Sequence, residues 1–229
     1  MKRAFVVVAL LAAALAARVD PAGATSECRG FLACVPVAGP WVVVPVSRQA
    51  PRPEVQYQLT CPRGFVVGGL DAELTDSAID VWFLGASGSP VAPGRTTSRT
   101  IVFVARYVGA GAKAPTFRPH AGCVPAQGGG RRTPTSVTKV VPPGRPTVRR
   151  VRTVRITTPR AVAVACRRDE RLVAAYSASG FRTAKPPSPE LVASLSTRPA
   201  LALDHITVVG RGGDGRAVVQ VAAVCAGGR

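Results

Sequence analysis

The stretch Tyr57–Gly69, Y-Q-L-T-C-P-R-G-F-V-V-G-G, decides the reading of the fold. Val55, Tyr57, Leu59 and Cys61 alternate with Gln56, Gln58 and Thr60, and a period of two marks a half-buried strand. Cys61 then falls on the apolar face, where a bridge can form inside. Pro62-Arg63-Gly64 turns the chain, and Phe65–Leu70 runs on as a second strand. Gly68-Gly69 within it predicts a bulge or a close backbone approach. A looser copy lies at Arg160–Ala175, where Val162, Val164 and Cys166 repeat the Tyr57, Leu59, Cys61 spacing. Leu172–Tyr176 there matches Val66–Leu70 after a slightly longer turn. The chain therefore reads as one cysteine-bearing β unit built twice.

Outward from these copies, more short strands follow. Trp41–Val46 is an edge or bulged strand, because Pro45 cannot donate to a ladder. Ile79–Leu84 and Arg99–Val108 complete the first half, and Gly85–Arg95 and Gly109–Gly122 read as irregular. In the second half Val148–Thr157, Leu191–Leu195, Leu203–Val209 and Arg216–Cys225 are strand candidates, with Glu190–Leu195 also the one candidate helix. Brief strands at this spacing, separated by Gly/Pro turns, predict an all-β protein of two tandem antiparallel sandwich-like units. The expected division is a signal peptide over 1–24, a first unit over 25–126, a basic Pro/Gly-rich linker over 127–147 and a second unit over 148–229.

The leader reading rests on Lys2 and Arg3, the apolar run Ala4–Ala17 and the small-residue site Ala22-Gly23-Ala24. The run is shorter than the roughly 18–20 residues that a bilayer span needs. No span is therefore expected once the leader is cleaved, and the product is expected to be secreted or extracytoplasmic. All six cysteines, Cys28, Cys34, Cys61, Cys123, Cys166 and Cys225, follow the leader, and an even count in an exported chain argues for disulfides. The repeat predicts Cys61–Cys123 and Cys166–Cys225. Cys28 and Cys34 either close a small loop, the favoured pairing, or staple the N-terminus to the body. Aligning Arg99–Val108 on Arg216–Cys225 sets Val108 opposite Cys225, so either the first unit carries an insertion before Cys123 or the pairing differs.

The formal net charge is +18, about +16 without the leader, and it is almost all arginine. Asn is absent, and Ala, Val, Gly and Pro abound, as GC-rich coding tends to write. The densest stretch holds Arg131, Arg132, Lys139, Arg145, Arg149, Arg150, Arg152, Arg155 and Arg160 with no acid among residues 131–160. It is either a solvated linker and strand face or a contact for an anionic cell-wall polymer or acidic polysaccharide through counterion release. It lacks base-stacking aromatics, which together with export counts against nucleic acid.

Cys61-Pro62-Arg63-Gly64 with Gly68-Gly69, and a valine-rich strand ending Val221–Ala226, resemble secreted bacterial β-sandwich repeats of unassigned function. In those repeats a Cys-Pro-x-Gly turn leads to a glycine cluster and a closing strand ends in Cys-Ala. The second unit departs from this at Cys166-Arg167-Arg168. The resemblance implies a fold and brings no catalytic residue.

Other constellations are weak. His120 and His205 are the only histidines, without the close ligand pairs of a zinc site. Asp71, Glu73, Asp76 and Asp80 lack the glycine-turned loop of a calcium site. Asp71 and Glu73 share a strand face at a spacing that glycosidases use, though such pairs are common on any sheet. Asp204 and His205 are adjacent on an expected strand and so point to opposite faces. Gly85-Ala86-Ser87-Gly88 is not a nucleophile elbow, and Gly210–Gly215 reads as a hairpin loop rather than a phosphate loop. The expectation is a non-enzymatic structural or adhesive module without cofactor or metal. A polyanion-binding protein is the alternative, and a secreted hydrolase the third reading.

Overall fold

The computed structural model describes residues 25–47, 49–85, 99–126 and 147–227. The expected leader (1–24), most of the expected linker (127–146) and Ala86–Arg95 lie outside the described residues. The described chain is all-β apart from one short helix. Its strands are β1 Val35–Ala38, β2 Trp41–Val43, β3 Glu54–Thr60, β4 Phe65–Leu74, β5 Ile79–Leu84, β6 Thr100–Tyr107 and β7 Thr116–Pro125. They continue with β8 Val148–Ile156, β9 Arg160–Ala165, β10 Glu170–Phe181, helix α1 Pro189–Ala193, β11 Ser196–Leu201, β12 His205–Arg211 and β13 Ala217–Gly227.

One seven-stranded sheet runs through both halves of the chain. β4 pairs with one edge of β7, while β1 and β2 pair in succession with the other edge. β2 then pairs with β10, which continues into β13 and β8. Two three-stranded sheets, β3-β6-β5 and β9-β12-β11, complete the fold. They pack on opposite faces of the large sheet, as its alternation shows. Val42 and Val44 lie in the core shared with β3 and β6, while Val43 between them packs against the core shared with β9 and β12. Ala178 and Phe181 of β10 divide in the same way.

Three disulfides staple this arrangement: Cys28–Cys34, Cys61–Cys123 and Cys166–Cys225. The last two each tie the residue after a small-sheet strand (β3, β9) to a large-sheet strand (β7, β13) across a core. In the chain-entropy account, loops of this length contribute about 4 kcal/mol each. Three disulfides mark an oxidising, extracytoplasmic setting. No helix among the described residues is long and apolar enough to cross a membrane.

Several sequence expectations are corrected here. Gly109–Gly122 is not an irregular excursion throughout, because its last part is β7, which carries Cys123. The alignment of Arg99–Val108 on Arg216–Cys225 fails: β6 is the middle of a small sheet, whereas β13 belongs to the large one. No insertion is needed, since β7 is the counterpart of β13 by pairing. Leu191–Leu195 is helix and turn, with Ser188 capping Leu191, and the strand follows at β11. Gly210–Gly215 is no hairpin loop, because β12 and β13 lie in different sheets and the glycines carry the chain between them.

The expected bulge is present: β4 slips register between Val67 and Gly69. β10 slips at the same step, between Leu172 and Ala174, and Val67 and Leu172 each lie opposite a bridged cysteine. The close approach is present too. A Cβ on Gly69, or on its cross-strand partner Gly122, would run into the backbone carbonyl of Glu27.

The free edge of β3 is closed by a side chain from the far half. The Gln58 N–H donates to Gln220 Oε1 at 2.6 Å, and Gln220 Nε2 donates to the Gln58 carbonyl at 3.0 Å and to Thr153 Oγ1 at 2.9 Å. Gln220 is buried. Truncation leaves a donor and an acceptor of β3 without partners, at about 1–3 kcal/mol each. Gln220→Ala is therefore expected to lower unfolding free energy by about 2–4 kcal/mol, read from urea denaturation of the oxidised protein. An unchanged midpoint would contradict this account of the edge.

Candidate functional site

Asp71 and Glu73 of β4 share a face, as expected, and three further ionisable groups, Glu27, Arg118 and His120, join them. His120 of β7 lies opposite Asp71 in register, with Nε2 2.8 Å from Glu73 Oε1 and Nδ1 3.7 Å from Glu27 Oε1. Arg118 approaches Glu73 at 4.0 Å. Glu27 and His120 are buried, and Glu27 Oε2 has no hydrogen-bond partner. Asp71 accepts from the Ser26 N–H at 2.6 Å and from the Ser26 hydroxyl at 3.1 Å. Burial pushes the Asp71 carboxyl up, but the bonds from Ser26 and Ala72 and the nearby His120 outweigh it and hold it below the usual carboxylate range.

This cluster fastens the N-terminal segment. The Glu27 carbonyl, just before the loop closed by Cys28–Cys34, lies over the glycine pair Gly69 and Gly122, and the Phe31 ring of that loop lies beside Gly68 and Gly69. The glycines leave room for the Glu27 carbonyl, and the carboxylates and His120 hold the chain down at its edge. Sequence reasoning found the carboxylate pair but not Glu27 or His120 beside it, because contacts across more than forty residues leave no local signal.

The other candidates are also engaged. Asp76 accepts from the Ala78 N–H and from the Tyr107 hydroxyl, and Asp80 pairs with Arg106 at 3.2 Å. Asp204 and His205 do meet, with Nδ1 2.7 Å from Oδ1. The expectation that they face apart is overturned, because Asp204 lies in the turn before β12 and is free of strand alternation. That hydrogen bond holds the Asp204 carboxyl below its ordinary range. Among the described residues, the one convergence of potential metal ligands is Cys166, Glu170 and Cys225, and both sulfurs are spent in a bridge.

Of the basic set, Arg131, Arg132, Lys139 and Arg145 lie outside the described residues. Arg149 is half-buried, donates to Gln56 Oε1 at 2.7 Å and stacks over Tyr176 at 5.1 Å. Burial lowers its guanidinium from the ordinary value. Arg150 pairs with Glu170 at 2.6 Å, and that bond, followed by one from the Arg167 N–H, holds the Glu170 carboxyl down. Arg155 donates to the Gly215 carbonyl. Arg152 is exposed without a partner among the described residues, so the structure does not bring these four together as one contact surface.

At the junction of the two halves a cleft of about 370 Å3 opens between Val43, Pro45, Val55, Ser177, Leu195 and Thr197. It is lined by apolar and hydroxyl groups and holds no charged side chain.

Because the Asp71 carboxyl is held low in the folded chain, its contribution is present above the unfolded-state value and is lost as pH falls through the lowered one. Asp71→Ala is expected to speed amide exchange across residues 25–34 about tenfold or more at neutral pH, from roughly 1.5–3 kcal/mol of charge-assisted bonding. Wild type should show the same loosening only under strongly acid conditions. Exchange that is unchanged in the variant would remove Asp71 from this role. No family model matches this chain, and no curated protein or solved structure matches it.

Proposed function

We propose that the protein is a secreted, non-enzymatic structural or adhesive binding module of a bacterial envelope or exterior, made of two copies of one disulfide-stapled β-sandwich unit. One observation supports the functional half of this reading above all. The carboxylates and histidines that chemistry would require are engaged in holding chain segments: Asp71 on Ser26, Glu73 and Glu27 on His120, and Glu170 on Arg150. The duplication is supported by register. Leu59 pairs with Ile101 two residues before Cys61, and Val164 pairs with Ile206 two residues before Cys166. Val35 lies opposite Cys123, and Val148 lies opposite Cys225. The leader at residues 1–24 and the three bridges support export.

Co-sedimentation of the oxidised mature chain with isolated bacterial cell walls tests the adhesive role, and retention is the expected result. A hydrolase screen with Asp71→Ala and Glu73→Ala as controls tests the rest. The expected outcome is no turnover that depends on either residue, and turnover abolished by either change would sink the non-enzymatic reading.

Polyanion binding is the second reading, and the unpaired, exposed Arg152 favours it. It carries a sharp contrast within β8. Arg149→Ala is expected to cost about 1–3 kcal/mol of stability, since a charged hydrogen bond and an aromatic contact are lost. Arg152→Ala should leave stability within about 0.5 kcal/mol. Thermal melts of the two variants check this, and equal losses would mean that Arg149 is not the structural member.

A further inference from the structure

The outer faces of the two small sheets carry different charge at matched positions on β5 and β11. Counting from the register fixed by Ile101 and Ile206, Arg211 of β12 stands where Arg106 stands in β6, and Val209 stands where Val104 stands. Their partners follow. Asp80 lies opposite Arg106 and Trp82 opposite Val104, whereas Ser196 lies opposite Arg211 and Arg198 opposite Val209. In the first half the arginine is neutralised by Asp80 at 3.2 Å and stacks on Trp82 at 5.5 Å. In the second half serine replaces the acid and a second arginine replaces the tryptophan.

Arg198 and Arg211 are exposed, and neither has a partner among the described residues. The acids at the ends of β12 are committed elsewhere, Asp204 to His205 and Asp214 to Arg216. With Ser196 and Val209 the two arginines line a concavity of about 180 Å3. Two guanidiniums held on one rigid face, a hydroxyl donor beside them and an aliphatic floor form a cradle for a tetrahedral oxyanion. Guanidinium forks present paired N–H donors to such a group.

We infer that Ser196, Arg198 and Arg211 form an oxyanion site that takes a phosphate or sulfate group carried on an anionic polymer. This rests on the polyanion reading and places the polymer's contact on β11 and β12 rather than on the 131–160 stretch. A polymer suits the site better than a free ion, because two solvent-exposed arginines hold a single group weakly and gain from repeated attachment.

The test uses the oxidised mature chain and two labelled probes, inorganic polyphosphate and dextran sulfate, followed by fluorescence anisotropy at about 50 and about 200 mM salt. Ser196→Asp with Arg198→Trp rebuilds the neutral arrangement of the first half, and Arg198→Ala with Arg211→Ala removes both cations. All three positions are exposed on β11 and β12, so melting curves should stay at the wild-type position. The expected result is binding by wild type, a loss of about tenfold or more in both variants, and a salt dependence shallower by about two counterions. The probe held more tightly names the source of the oxyanion. If both variants bind as wild type while Arg131→Ala, Arg132→Ala, Lys139→Ala and Arg145→Ala together abolish binding, this site is wrong and polyanion binding stands. If wild type binds neither probe at the lower salt, both fall.

Discussion

A carboxamide holds this molecule together. The outermost strand of a sheet presents unpaired N–H and C=O groups, and these must be covered or they recruit another chain. At Gln58 both groups face Gln220, which offers one acceptor and one donor at the spacing of a backbone partner. The remaining amide hydrogen goes to Thr153, so the buried side chain is fully used. β2 performs the matching task in the large sheet by pairing with β7 on one side and β10 on the other. The two halves are thereby one body. The second face of β13, with Val218, Gln220 and Ala222, is buried as well as the face toward Cys225 is, apart from Val224 at its end. A strand covered on both sides reads as a nearly continuous apolar run, and V-V-Q-V-A-A-V is such a run.

The same logic explains the N-terminal segment. By pairing to the bridged cysteines, Arg118 and His120 of β7 stand where Gln220 and Ala222 stand in β13. In the second half that face is covered by β3. In the first half the N-terminal segment around the Cys28–Cys34 bridge lies over it, admitted by Gly69 and Gly122. A short loop closed by its own disulfide fills that place with few residues, held by the bonds from Ser26 to Asp71 and by Glu27 beside His120.

Local pattern carried much of the fold. The alternation before Cys61 and Cys166 gave β3 and β9, and the similar spacing of the two cysteine pairs pointed to both long-range bridges. What failed had reasons. β7 reads as irregular because Pro119 and Gly122 interrupt its pattern. Pro119 is tolerated inside a sheet because it lies at the break between β1 and β2, where no strand residue needs its missing N–H. There its carbonyl accepts from the Gly39 N–H at 2.8 Å. The site residues were half legible: Asp71 and Glu73 are two apart in the chain, whereas Glu27, His120 and Gln220 act across distances that no window spans.

The arginines show where composition stops explaining structure. A coding bias sets how many there are but not what each one meets. Arg149 and Arg150 reach inward on opposite faces of β8, one to Gln56 and the other to Glu170. They stand on the last strand of the large sheet, where long cationic side chains also discourage pairing with another chain. Arg106 is matched by an acid and a ring. Arg198 and Arg211 by contrast stand together without an acid, on the strand positions where the other half sets Asp80 and Trp82 beside Arg106. Drift toward arginine accounts for one such residue easily. It accounts less well for two cations side by side on one face with no acid opposite either.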